Sequence, residues 1–426
     1  MYRYKRLPQA RENAKGNGLK GAMFPWQSGS DGREEALMDI FDPQSGEWSK
    51  DYSSLKRHVS LAVAYNVWNY YNITGDIAFM NDYGAELYFD ICRFWSSKAK
   101  PDPETGRYSI DGVMGPDEYH EKMPGTKEAG LKDNAYTNIM VVWLFKRSFH
   151  IIEALDDSSR KRIFKSLDIS ENELNKWRSQ MTGMNLSING EGTLEQFRGY
   201  FDLQELDWDF YKNKYGDIQR LDRLLKSEGK LPDEYKACKQ ADTLMAFFNI
   251  DTGEVSEIIE KLGYSVPVDY LKNNFEYYFS RCSHGSSLSR LVHSYVASLI
   301  GLKGLSWELY LEALKSDYLD IQGGTTSEGI HLGVMTGTVL MALTAFAGLH
   351  YRGNMLSINP NLPEHWRSID FFCSFKGTDY RIGVAKDSVV VKKVGAHGKG
   401  SKVLVGGKEF ALPDDGEVIV DCHPHR

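Results

Sequence analysis

Three carboxylates and an imidazole fall within five residues of this 426-residue sequence, at Asp117, Glu118, His120 and Glu121. They follow Gly115-Pro116, a pair that cannot lie inside a helix, because proline lacks an amide donor and glycine costs about 1 kcal/mol there relative to alanine. Val113–Glu121 is therefore a loop, set ahead of a helical pattern that begins near Asp133. A carboxyl group on such a loop, beside aromatic rings, suits general acid catalysis, since partial desolvation raises its pKa towards working pH. Glu118 is the candidate acid. The same acids would also serve as caps for the next helix, and the loop alone does not choose between the two roles.

Two hydroxyl-rich stretches form the second group. Gly323-Gly324-Thr325-Thr326-Ser327-Glu328-Gly329-Ile330-His331 and Ser283-His284-Gly285-Ser286-Ser287-Leu288-Ser289 each lead into a helix. Small donors, bare backbone N–H groups and a helix N-terminus can together cradle an anion of phosphate size. Ser286, Ser287, Thr325, Thr326 and His331 are the candidates for it, with simple helix capping as the plainer role. The Gly-Lys-Ser/Thr ending of a nucleotide-phosphate loop is missing, and no GxSxG elbow surrounds Ser286. No His or Cys residues pair at ligand spacing, so no metal is expected. A third stretch, Gly21 to Glu35, sets Phe24 and Trp26 beside Gln27, Asp31, Arg33 and Glu34. A ring as platform and an amide as hydroxyl reader would grip a sugar; otherwise Trp26 anchors a buried turn.

Helices must position these loops. Pro8–Lys15 reads as helical and is ended by Gly16 and Gly18. From Leu55 to Thr74, Leu61, Tyr65 and Trp68 recur at i, i+4 and i+7, one helical face. Gly75-Asp76 breaks the pattern, Ile77–Trp95 resumes it, and a third long helix runs from Asp133 to Leu155. Long helix, short break, long helix is the pattern of αα-hairpins. Residues 156–231 are polar and broken, and Phe201–Asp209 is acidic and aromatic; this segment is expected to leave the helical core and fold over a cleft. Its aromatic content argues against a disordered linker. Helices resume after Tyr235 and end in one striped by Met335, Val339, Ala342, Phe346 and Leu349. Beyond Gly353, the runs Val389–Val391, Val403–Val405 and Val418–Val420 alternate with Gly, Lys and Asp turns, the pattern of a small antiparallel domain. The expected division is a helical domain over 1–352 and a β domain over 353–426, with Gly395–Lys402 a solvated turn.

The bulk numbers exclude several classes. A net charge of −7 lacks the basic stripe of a nucleic-acid binder. Cys92, Cys238, Cys282, Cys373 and Cys422 are odd in number and scattered, as reduced thiols of a cytoplasmic protein would be. No apolar run approaches a membrane span of roughly 20 residues, and no signal-peptide core opens the chain.

Seven stretches in order resemble glycoside hydrolase family 65, the inverting phosphorylases of α-glucosides such as maltose, trehalose and kojibiose, with some trehalose hydrolases. They are Tyr2-Arg3-Tyr4 with Leu7-Pro8-Gln9-Ala10-Arg11, Gly21-Ala22-Met23-Phe24-Pro25-Trp26, Gly115-Pro116-Asp117-Glu118-Tyr119-His120-Glu121, Tyr136-Thr137-Asn138, Lys239-Gln240-Ala241-Asp242, His284-Gly285-Ser286-Ser287-Leu288-Ser289 and Gly324-Thr325-Thr326-Ser327-Glu328-Gly329-Ile330-His331. The resemblance implies a mainly α fold, an (α/α)6 barrel followed by a small antiparallel β domain. It implies Glu118 as general acid, Lys239 and Gln240 on the glucosyl unit, and phosphate near Ser286, Ser287, Thr325, Thr326 and His331. The expected reaction is phosphorolysis of an α-linked disaccharide to β-glucose 1-phosphate, with inorganic phosphate as co-substrate and no cofactor. Inverting hydrolysis needs a base on the far face of the sugar; phosphate is already anionic and replaces it. Were water the nucleophile, Glu328 would be the base; its other role is to orient its own loop. The family's β-sandwich, first barrel helices and Trp-Asp motif precede the matched part. The barrel is therefore expected to be partial, the chain alone inactive or dependent on an upstream partner chain, and exposed inner faces to favour a homo-oligomer.

Overall fold

The structure, a computed structural model, describes all residues except 43–45, 320–328, 354, 395–401, 414–415 and 422–426. The fold is mainly α, a helical barrel part followed by a small β domain. Helix α1 spans Leu7–Gly16, with Pro8 in its first turn, where the missing donor has no cost. It buries Leu7, Ala10 and Ala14, spaced i, i+3 and i+7. Helix α2, Val59–Thr74, ends at Gly75 with φ of 70°. It buries Ser60, Leu61, Val63, Ala64 and Val67. Tyr65 and Trp68, expected on the core face, are only partly buried and lean on Trp143 and His150. Small side chains take the closest helix approach, and the rings fill its margins.

The helix expected from Ile77 to Trp95 starts at an Asp76 cap, whose carboxylate accepts the Phe79 N–H at 2.9 Å. It passes through a π turn at Met80–Gly84 and continues as α3, Ala85–Lys98. Two short hairpins flank these helices: β1 Asp39–Asp42 with β2 Glu47–Lys50, and β3 Lys100–Asp102 with β4 Arg107–Ser109. Helix α4, Ala135–Ala154, is capped by Asn134, which accepts the Thr137 N–H at 2.9 Å. Every residue from Ala135 to Phe145 is buried, as expected of a helix hydrophobic on all sides.

The segment 156–231 divides in two. Helices α5, Asp157–Leu167, and α6, Glu171–Gly183, belong to the main core, and fully buried Trp177 stacks on Phe145 at 6.1 Å. Their outward faces carry the polarity that makes the stretch look detached. Leu206, Tyr211, Ile218, Leu221 and Leu225 instead form a separate cluster with Ala237 and Tyr119, next to the candidate acid.

Helices α7 Thr252–Lys261, α8 Tyr270–Phe279, α9 Ser287–Leu299, α10 Lys303–Lys315 and α11 Leu332–Met341 complete the helical part. Arg290 pairs with Glu312 and Ser294 with the Ser306 carbonyl, so α9 and α10 run antiparallel. Asp317 meets His331 at one end of α10 and Tyr310 meets Phe346 towards the other, so α11 reverses again. Helices α9 and α11 are therefore parallel, with their N-termini at one end.

Among the described residues, the β domain has two four-stranded sheets. One is ordered β11-β10-β6-β5, from Leu349–Arg352 (β5), Met355–Ile358 (β6), Lys402–Val405 (β10) and Lys408–Ala411 (β11). Its β6–β10 pair is parallel, unlike every other strand pair among the described residues of the domain. The other is ordered β12-β9-β8-β7, from Ser368–Phe375 (β7), Thr378–Ala385 (β8), Ser388–Val394 (β9) and Glu417–Asp421 (β12). Along β8, Thr378, Tyr380 and Ile382 point in while Asp379 and Arg381 point out, the period of two that a half-buried strand requires. The three valine-rich runs fall on β9, β10 and β12. The first strand begins at Leu349, ahead of Gly353.

Candidate active site

The loop bearing Glu118 is fixed from below. A Cβ on Gly115 would lie 2.1 Å from Asp242 Oδ2 and 2.4 Å from Asn134 Nδ2, so only glycine lets the loop rest on that pair. Asp242 accepts the Asn134 amide at 2.8 Å and the Asp117 N–H at 3.1 Å. Asp117, 2% exposed, accepts the Lys239 N–H at 2.8 Å and Gln196 Nε2 at 3.2 Å. Its other partner is His120 Nδ1 at 2.9 Å, while His120 Nε2 faces the Tyr235 carbonyl at 2.9 Å. A carboxylate and a carbonyl both accept, so the buried ring carries two protons. Burial opposes that charge, but Asp117 outweighs it and the His120 pKa is raised. Burial also pushes Asp242 up to about 7.

Above this base, Glu118 sits between two ammonium groups. Oε1 is 3.0 Å from Lys56 Nζ and Oε2 is 2.5 Å from Lys239 Nζ. Burial pushes the carboxyl up, yet Lys239 and Lys56 together overcome it and hold Glu118 at about 2. The group expected to be a raised acid is thus ionised in the absence of ligands. Lys56 is 4% exposed and lies over the Trp26 ring at 4.5 Å, which places Trp26 at the acid. Trp26 also packs on His58, which burial lowers to about 4 and keeps neutral. The Trp26 and Gln27 backbone N–H groups donate to Glu34 at 2.8 and 2.9 Å, folding that loop on itself. The Gln27 side chain is exposed. Gln240 donates to the Pro116 carbonyl at 2.5 Å, on the acid's own loop.

The hydroxyl-rich stretch meets the same pocket. Tyr119, next to the acid, shares a 2.7 Å hydrogen bond with Ser283. A Cβ on Gly285 would lie 2.1 Å from the Gln219 carbonyl and 3.2 Å from Lys239 Cγ, so this loop lies directly on the lysine stem. Ser286 caps α9 by position and Ser287 opens it. Arg290 donates to the His284 carbonyl at 3.0 Å and holds the turn. At the start of α11, Asp317 accepts the His331 N–H at 2.7 Å and contacts its Nδ1 at 2.6 Å. Ser286, Ser287 and His331 thus stand at the paired N-termini of two parallel helices, where partial positive charge accumulates. Thr325, Thr326 and Glu328 lie outside the described residues.

Sequence reasoning missed Lys56. Its signal was Lys56-Arg57-His58 directly ahead of α2, a basic triplet with no acidic neighbour in sequence. Glu34, named in the Gly21–Glu35 loop, turns out to fold that loop, and the buried Asp117–Asp242–His120 network and the Tyr119–Ser283 bond were also missed. Among the described residues, no helix is long and apolar enough to cross a membrane.

The chain is similar to known proteins. The family model for the glycosyl hydrolase family 65 central catalytic domain matches residues 1–340, and that for the family's C-terminal domain matches 349–412. The chain is 42% identical to a trehalose 6-phosphate phosphorylase of Lactococcus lactis, over 90% of this chain and 48% of that protein. It is 33% identical to a kojibiose phosphorylase of Caldanaerobacter subterraneus, over 97% of this chain and 51% of that protein. A solved structure of a putative kojibiose phosphorylase from human microbiome superposes with a TM-score of 0.80 at 25% identity, covering 100% of this chain and 57% of that one. The chain spans about half the length of these relatives. It belongs to glycosyl hydrolase family 65.

Proposed function

We propose that the protein carrying this chain performs inverting phosphorolysis of an α-linked glucosyl disaccharide, giving β-glucose 1-phosphate and a free sugar. The observation that carries the reading is the junction of two loops. Glu118, the candidate proton donor, is joined through Lys239 and the Tyr119–Ser283 bond to the Ser283–Ser287 turn, the candidate anion site. A phosphate oxygen attacks the anomeric carbon, the bond to the interglycosidic oxygen breaks, and Glu118 delivers a proton to that oxygen. Hydrogen phosphate brings the proton that balances the reaction. The glucosyl unit, bound at Lys239, competes with Glu118 for that ammonium group. As the lysine hold on the carboxylate weakens, burial raises the acid towards the protonated form. Trp26, Gln27, Lys239 and Gln240 line the sugar side of this reading. Ser286, Ser287 and His331, with Thr325 and Thr326, take the phosphate.

The greater identity to a trehalose 6-phosphate phosphorylase makes trehalose 6-phosphate the first substrate to assay, ahead of kojibiose and trehalose. Each disaccharide is incubated with and without inorganic phosphate, and the products are followed by NMR. Phosphate-dependent formation of the β anomer of glucose 1-phosphate is expected. Glucose release at equal rates in both arms would replace the reading with hydrolysis.

A further inference from the structure

Cys238 and Cys282 face each other across a parallel backbone pair. The Cys238 N–H donates to the Arg281 carbonyl at 2.8 Å and the Ser283 N–H to the Cys238 carbonyl at 2.9 Å, so the two bonds bracket Cys282. Paired backbones run about 4.8 Å apart, inside the roughly 4.4–6.8 Å Cα span of a disulfide. The Cys238 thiol donates to the Arg281 carbonyl at 3.4 Å, next to Cys282, and the two cysteines are 1% and 8% exposed. Cys282 Sγ accepts the His284 N–H at 3.4 Å and lies beside the His284 and His293 rings, themselves 4.9 Å apart. Burial pushes the Cys282 thiol up, but its Cys238 bond and His284 outweigh this and bring it well below the usual range. Its bond to Cys282, then burial, pushes Cys238 well above it.

We propose that Cys238 and Cys282 form a reversible redox pair, oxidised to a disulfide by hydrogen peroxide and restored by a dithiol. Cys282, His284 and His293 also group as metal ligands do, with their ligand atoms within 4.8 Å of one another. Ser289 Oγ, however, lies 2.9 Å from His284 Nδ1 and 3.3 Å from both Cys282 Sγ and His293 Nδ1. Ser289 Oγ therefore already partners each of the three groups, while the buried His293 Nε2 has no partner, so zinc is the competing ligand that the test must exclude. The Cys282 thiolate attacks one peroxide oxygen, the O–O bond breaks, and hydroxide leaves and is protonated to water, leaving a sulfenic acid. The Cys238 thiol then attacks the Cys282 sulfur, forming the S–S bond. The S–O bond breaks and hydroxyl departs with the thiol proton as a second water. Two thiols and one peroxide give one disulfide and two waters. The new bond would tie the residue before Lys239 to the residue before Ser283, clamping the acid's lysine against the anion turn. Turnover then falls while the bond persists. That last effect rests on the proposed phosphorolysis; the bond itself does not.

The reduced chain is treated with hydrogen peroxide, remaining thiols are alkylated after unfolding, and peptides are mapped by mass spectrometry. A peptide joining Cys238 to Cys282 is expected, absent after dithiothreitol, with fully buried Cys92 still alkylated. In Cys238→Ser, Cys282 is expected to stop at a sulfenic acid trapped by dimedone. Both residues remaining thiols under conditions that oxidise Cys373 would overturn the proposal, as would one zinc per chain shielding them from peroxide. Where phosphorolysis is measurable, the linked form is expected at least tenfold slower and dithiothreitol to restore it. A linked form with unchanged turnover would overturn the clamp, and absence of turnover in both forms would count against the phosphorolysis reading while the peptide map still decides the pair.

Discussion

Replacing Lys56 by Met keeps most of the side-chain volume beneath Trp26 and removes one of the two cations on Glu118. Glu118 lies at about 2 in the folded chain against an ordinary 4.5. At about 1.4 kcal/mol per unit, that interval corresponds to ~3 kcal/mol of stability. A third of the Glu118 side chain is open to solvent, which trims the figure, and Lys239 shares it. Lys56→Met is therefore expected to cost ~1 kcal/mol at neutral pH. The sign follows from a depressed carboxyl. The contribution is present in full above the unfolded value of 4.5 and lost as pH falls through the folded value near 2, so wild type and variant should converge in acid. Urea unfolding of both proteins across that range reads the stability difference. NMR of isotope-labelled glutamate, with Glu118→Gln as assignment control, reads the carboxyl directly, and its pKa should rise in the variant. A stability gap of equal size at neutral and acid pH, or an unmoved Glu118 titration, would refute the reasoning.

Glu118→Gln should lower kcat for phosphorolysis of an unactivated disaccharide by ~10²–10⁴-fold while leaving phosphate binding intact, checked by single-turnover assay and calorimetry. Gly115→Ala drives a methyl into Asp242 and Asn134 and should destabilise by ~3 kcal/mol, seen as a lowered Tm. Asp242 is held protonated by burial, with about 7 in the folded chain against 3.8 ordinarily, so wild-type stability should fall as pH rises through that window. Asp242→Asn should flatten the slope in pH-dependent melts. Asp317→Asn loosens His331 and should raise KM for phosphate about tenfold with a smaller change in kcat, measured by steady-state kinetics.

The loops that carry chemistry were legible because glycine, proline and hydroxyl residues mark backbone conformation locally. Helix α2 was legible because its apolar residues repeat at helical spacing and Gly75 ends it, α1 because Gly16 and Gly18 close it, and α4 because Asn134 opens it. The charge state of Glu118 was not legible. It depends on whether burial or neighbouring cations win, and Lys56 is brought from 62 positions away by the fold. Helices α5 and α6 were read as leaving the core because charged outer faces dominate their composition, while α6 is anchored inward by Leu174, Trp177 and Gln180. Tyr65 and Trp68 were placed too deep on α2, since spacing gives the face of a helix but not how near its neighbour lies. The Thr325–Thr326 turn stays an expectation of sequence.

Gly115 leaves no side chain between the acid's loop and the Asp242–Asn134 pair. Elsewhere in a protein interior a displaced segment can be absorbed by a neighbour changing rotamer. Here backbone rests on polar atoms whose hydrogen bonds fix them in turn, so there is no slack to take up. A shift of the Lys239–Asp242 segment, which holds both the acid's lysine and this seat, would pass to Glu118 undiminished. The proton donor and the segment carrying Lys239 are therefore coupled through backbone contact, whereas Lys56 reaches the acid from the separate segment ahead of α2.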